Sequence, residues 1–253
     1  MMLKTLLASA LLVATVSAQG FYYALDISNL GTTSAFSCLK SNGYSTAFIR
    51  CYKPDQGGTP DYNAVQNVNM AFSAGLGIEV FMTPAPSGKV AYSQVDDAIA
   101  GLTNGGVTIR TLWIQVTSPV NWNSNKNTNL AFITTAIQRI RARGITPGVY
   151  TNSYDWNQIT GNAGNLGTDV MLWYWNVFGG GTGGESPANF QDFRAFGNWN
   201  RAAVKQFGQN EAICGFTANR DCYPTSSIKA STLLVNKMMF EKEKKIVAGG
   251  IGL

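Results

Sequence analysis

The sequence predicts an α/β fold: a single (β/α) barrel of the TIM-like type, somewhat irregular in its second half. Apolar strand segments alternate with helical stretches from residue 21 onward, and their number suits a closed sheet wrapped by helices. A chain of 253 residues with 45% hydrophobic content can bury one full core, so one domain is expected.

FYYALDIS (21–28) reads as the first strand and TTSAFSCLKSNGY as a short helix after it. STAFIRCY (45–52) follows as a strand, then a helix near 61–74 and the strand GIEVFMTP (77–84). Tyr92 to Leu102 and Asn127 to Arg143 are helical by apolar spacing, with the strand TLWIQVT (111–117) between them. PGVYTN (147–152), DVMLWYWN (169–176) and AAVKQFG (202–208) complete the strands. In the longest helix Leu130, Ile133, Ile137 and Ile140 form the buried stripe. Arg139, Arg141 and Arg143 crowd its last turn before Gly144, as cations at a helix C-terminus do. GGGTGG (179–184) contains G-x-G-x-x-G but opens no helix at once, so it reads as a flexible loop and not a nucleotide site.

Met1 to Ala18, with Lys4, an apolar run and small residues before Gln19, has the three regions of a secretory signal peptide. Residues 19–230 are then the domain and 231–253 a charged tail, expected to be a fraying surface helix or disorder. No later stretch is apolar for the ~20 residues a membrane span needs, so a soluble, secreted monomer is expected. Four cysteines in an exported chain suit two disulfides. Three pairings are open, and the local one, Cys38 with Cys51 and Cys214 with Cys222, is expected.

The chain has no histidine. Ser-His-Asp and Cys-His machinery are thereby excluded, and acid–base chemistry falls to the 14 carboxylates. The cysteine spacings and the missing histidine also argue against a metal site, and no cofactor is expected. The net charge of +5, or +4 without Lys4, suits anionic surfaces such as bacterial walls, and no basic stripe with interleaved aromatics points to nucleic acid.

Barrel enzymes carry reactive side chains at the C-terminal ends of their strands. Asp26 ends the first strand, Asp221 follows the last, and Glu79 lies too early in its strand. In the middle strand the same positions hold Gln115 and Thr117, which point to one face because strand side chains alternate.

The order of an Asp ending strand one, a WI-x-V-x strand, GVYTN, LWYW, QFG and a late Asp resembles glycoside hydrolase family 25, the lysozymes, over roughly residues 20–225. The resemblance is nearest to the nematode and amoebal branch. It implies a barrel acting on bacterial peptidoglycan, in antibacterial innate immunity or digestion, with Asp26 and Asp221 as the outer acids. The family's middle strand ends in D-x-E, which maps onto Gln115-Val116-Thr117, so this chain lacks that acid pair. Gln cannot give a proton and a Thr hydroxyl is too weak an acid, whereas glycoside hydrolysis usually uses two carboxyls. Both replacements still form hydrogen bonds. Two readings stand: a lysozyme with redistributed roles, or an inactive binder of peptidoglycan or a related N-acetylated glycan. In the binding reading Trp113, Tyr150 and Trp175 are the expected sugar-stacking aromatics, with core packing as their alternative.

Overall fold

The computed structural model describes residues 20–227 and 246–252, so the expected signal peptide and tail residues 231–245 lie outside the described residues. The elements in order are β1 (Phe21–Ile27), α1 (Thr33–Ser41), β2 (Tyr44–Lys53), β3 (Thr59–Pro60), α2 (Ala64–Ser73), β4 (Gly77–Met82), α3 (Ala91–Thr103), β5 (Val107–Ile109), β6 (Thr111–Gln115), α4 (Lys126–Ala142), β7 (Thr146–Thr151), α5 (Ser153–Thr160), β8 (Met171–Trp175), β9 (Val204–Ile213), β10 (Phe216–Pro224) and β11 (Ile246–Ala248). Eight strands close a barrel in the order β1-β2-β4-β6-β7-β8-β9-β10, with β10 returning to β1. β10 runs antiparallel to both neighbours, while the other pairs are parallel. No described helix is long and apolar enough to cross a membrane.

Period-two alternation sends side chains into two cores. Ala24, Phe48, Phe81, Trp113, Tyr150, Trp173, Val204 and Tyr223 fill the barrel interior. Their strand neighbours, among them Leu25, Ile49, Leu112, Ile114 and Val149, face the helices and meet Ile133, Ile137 and Ile140 of α4. Gly148 in β7 has a packing reason: a Cβ there would stand 2.1 Å from the Trp113 ring. The α4 arginines do more than complement the helix end, since Arg139 and Arg143 bind Asp96 and Arg141 binds Asp169.

The irregular second half arises where helices give way to loop and hairpin. No α-helix joins β8 to β9; the connecting segment is anchored by the buried Lys205, whose ammonium donates to Pro187 O (2.7 Å) and Asp192 (2.8 Å). β9 and β10 form a hairpin whose tip, Cys214-Gly215, has positive φ at both residues (52° and 84°), the geometry of a type I′ turn. The sequence reading missed this hairpin because NEAICGFTANR carries little strict alternation.

The expected disulfide pairing is corrected. Cys38 of α1 bonds Cys214 at the hairpin tip, with Cα atoms 5.7 Å apart, and Cys51 and Cys222 are free and buried. Cys222 lies six residues along β10 from Phe216, or roughly 20 Å at strand rise, far beyond the reach of a disulfide to Cys214. Cys51 points into the core beneath the helices. Burial raises both free thiols, Cys222 to about 12, which leaves them unreactive at neutral pH.

The tail expectation is corrected for residues 246–252. β11 pairs in parallel with β5, the Gly249 N–H donates to Ile78 O, and Ile251 is buried in the barrel core. The backbone N–H groups of Gly250 and Ile251 donate to Glu79 Oε1 at 2.8 and 3.0 Å, and Trp113 Nε1 donates to its Oε2 at 2.9 Å. The far end of the barrel is closed by this segment.

Because Cys38 and Cys214 are 176 residues apart, their bond removes much unfolded-state entropy. Cys38→Ala should lower stability by about 5 kcal/mol on the loop-entropy model. Denaturant unfolding checks the stability, and thiol-counting mass spectrometry of the parent should find one disulfide and two free thiols. Four alkylatable thiols would refute the pairing.

Candidate functional site

The C-terminal ends of β1, β4, β6, β7 and β8 meet at one mouth of the barrel. Asp26 is the sixth residue of β1 and points inward at that level, 8% exposed. It is no helix cap, since Thr32 caps α1. Gln206 Nε2 donates to Asp26 Oδ2 at 2.5 Å and Asn219 Nδ2 to Oδ1 at 2.9 Å. Gln206 is fixed in turn, because its Oε1 accepts from Tyr150 Oη (2.9 Å) and from Gln209. Burial outweighs these bonds and raises the Asp26 carboxyl to about 7.

Asp221 pairs with Ala24, one step deeper than Asp26. It is fully buried; Trp173 Nε1 donates to Oδ1 at 2.8 Å, and Oδ2 has no partner among the described residues. Burial, and then the nearby Asp26, push its carboxyl well above the ordinary range. It therefore lies under the mouth and not in it.

Across the barrel, Gln115 and Thr117 are half-buried and engaged with each other. Gln115 Nε2 donates to Thr117 Oγ1 at 3.0 Å, while Gln115 Oε1 accepts from Thr83 Oγ1 at 2.6 Å. They line a pocket of about 390 Å³ with Pro84, Pro86, Asn121 and Trp122. Trp122 Nε1 donates to Thr117 O at 3.0 Å, which holds that wall in place. A larger cavity of about 520 Å³ opens at the opposite ends of β8 and β9, away from these acids.

The three expected aromatics divide. Trp113 is a correction: it is 0% exposed and bonded to Glu79, so it belongs to the barrel core and touches no cleft. Tyr150 stacks on Trp173 with ring centroids 4.2 Å apart, and only its hydroxyl serves the mouth, through Gln206. Trp175 is half-buried at the mouth, and its Nε1 donates to Asp155 Oδ2 at 3.2 Å.

Asp155, Gln206 and Asn219 escaped the sequence reading. Asp155 stands just past the end of β7, where the strand-end rule applied to Asp26 would have found it. It is 4% exposed, and burial raises its carboxyl despite the N–H groups of Trp175 and Ser118 that face it. Gln206 and Asn219 carry no local signal.

A family model described as lysozyme-like protein 1 matches residues 17–207. Lysozyme-like protein 7 of Caenorhabditis elegans is 48% identical over 231 residues, spanning 91% of this chain and 79% of the relative. Probable GH family 25 lysozyme 2 of Dictyostelium discoideum is 31% identical over 201 residues, spanning 79% of this chain and 90% of the relative. Among solved structures, a family GH25 lysozyme from Aspergillus fumigatus superposes with a TM-score of 0.65 at 17% identity, over 85% of this chain and 97% of that one, a likeness of fold.

The raised Asp26 carboxyl makes stability depend on pH. The folded state holds this proton up to about 7, the unfolded chain only to about 3.8, so the group favours folding at low pH and loses that contribution as pH rises through 7. Asp26→Asn removes the dependence. Its stability relative to the parent should improve by roughly 4 kcal/mol between pH 4 and pH 8, whatever fixed cost the amide carries. A difference that stays constant across that range in denaturant titrations would show that Asp26 ionises normally.

Proposed function

Since this chain belongs to the lysozyme-like protein 1 family, of glycoside hydrolase family 25 type, we propose that it is a secreted protein that hydrolyses bacterial cell-wall peptidoglycan as a slow muramidase. Export is supported by the leader-like residues 1–18 and by the Cys38–Cys214 bond, which suits an oxidising compartment. Defence against bacteria, or their digestion, is the setting this activity fits.

The observation that carries the reading is Asp26: a carboxyl at the mouth of the barrel, held by two amides, that keeps its proton to about pH 7. Such a group can protonate a leaving glycosidic oxygen. Asp221 is too deep to touch substrate. The substrate's own N-acetyl group can serve as the nucleophile, as in substrate-assisted hydrolases. Slowness is expected because glycoside hydrolysis usually uses two carboxyls and Gln115 and Thr117 put none on the middle strand.

A second reading, glycan binding without cleavage, is favoured by the closed bonding of Thr83, Gln115 and Thr117, which presents hydroxyl and amide groups to the pocket and no acid. Release of muropeptides from purified peptidoglycan, measured beside a pull-down on the same walls, separates the two. Hydrolysis should fall as pH rises through about 7, where Asp26 loses its proton, and Asp26→Asn should abolish it with wall binding retained. Binding with no release at any pH leaves only the second reading.

A further inference from the structure

The hydrolysis proposed above calls for a second carboxyl, and the middle strand has none. Asp155 lies in the first turn of α5, at the end of β7. Its side chain does not cap its own helix: Asn152 does that, accepting the Asp155 N–H at 2.8 Å. The carboxyl reaches across the mouth instead. Trp175 Nε1 at the end of β8 donates to it, and so does the backbone N–H of Ser118, the residue directly after Thr117. The carboxyl thus lies one peptide unit from the position whose side chain lost its acid.

It also stands near Asp26 through one pair of residues. Trp175 of β8 pairs with Gln206 of β9, and paired residues on adjacent strands are about 4.8 Å apart. Gln206 holds Asp26 and Trp175 holds Asp155, so the two carboxyls flank adjacent residues of the mouth.

We propose that Asp155 is the second carboxyl of this site, acting in its ionised form opposite a protonated Asp26 on a 2-acetamido sugar; the inference rests on the muramidase reading. Asp155 accepts the acetamido N–H and turns the carbonyl oxygen toward the anomeric carbon. That oxygen bonds the anomeric carbon as the glycosidic C–O bond breaks. The C–O electron pair goes to the leaving oxygen, which takes the Asp26 proton, and a cyclic cation forms whose N–H rests on Asp155. Water then adds to the anomeric carbon and reopens the ring, and its proton restores Asp26. Burial raises both carboxyls, Asp26 to about 7; at Asp155 the N–H groups of Trp175 and Ser118 face the carboxyl and oppose that rise.

The test is muropeptide release and wall pull-down across pH for the parent, Asp155→Asn, Asp155→Glu and Asp26→Asn. Asp155→Asn should bind walls like the parent and release muropeptides on the order of a hundredfold more slowly. The acidic limb of the parent's bell-shaped profile should vanish from the residual rate, and Asp155→Glu should recover part of the activity. If Asp155→Asn fails to melt cooperatively, Asp155→Ala with added azide or formate takes its place, and an anion-dependent rate supports the role. A parent that cuts, is silenced by Asp26→Asn and is unaffected by Asp155→Asn overturns the role of Asp155 alone. A parent that neither binds nor cuts overturns the muramidase reading and this inference together.

Discussion

The indole of Trp173 is the contact on which the barrel and its mouth both depend. Its ring lies at the centre of the interior, with centroids 4.5 Å from Phe48, 4.2 Å from Tyr150, 5.7 Å from Phe81 and 6.1 Å from Trp113. Five aromatic side chains from five strands therefore share one packed layer, and close packing fixes their rotamers. Trp173 also carries a polar bond on the mouth side of this layer, its Nε1–H to Asp221. A buried carboxyl without a donor would be costly, so the indole makes the deep aspartate tolerable. Asp221 in turn sits below Asp26, and Tyr150, stacked on the same indole, sends its hydroxyl to the glutamine that holds Asp26.

The two ends of the barrel solve the same problem differently. At the far end Glu79 is also buried and raised to about 7, yet all its bonds go to Trp113 and to the backbone of the C-terminal segment. There the carboxyl is a fastener: Ile251 fills the barrel floor and Glu79 satisfies the N–H groups that come with it. At the mouth the carboxyls are held by side-chain amides and indoles under loops, and Asp26 retains a little exposure. Two buried carboxyls raised to a similar degree thus sit in different surroundings, Glu79 sealed by the C-terminal segment and Asp26 slightly exposed at the mouth.

Much was legible in the sequence. Short continuous apolar runs such as TLWIQ and MLWYW identified the strands, and apolar spacing identified α4, because both signals lie within a few residues of one another. The absence of histidine and the non-titrating Gln115 and Thr117 are properties of residue type that folding cannot alter. That Asp26 ends the first strand was likewise readable from its place after FYYAL.

What only the tertiary structure decided concerns pairs remote along the chain. The Asp26 amides come from residues 180 and 193 positions away, and its raised carboxyl is a consequence of burial among them. The disulfide partner of Cys38 is set by where the β9–β10 hairpin tip comes to rest, and the fate of Trp113 by whether a strand residue sits low or high in a closed barrel. Asp155 gained its place because an indole from β8 and a peptide N–H beyond β6 converge on it. Local spacing encodes direction within a strand or helix; desolvation and partner choice depend on which distant segments the closed barrel brings together.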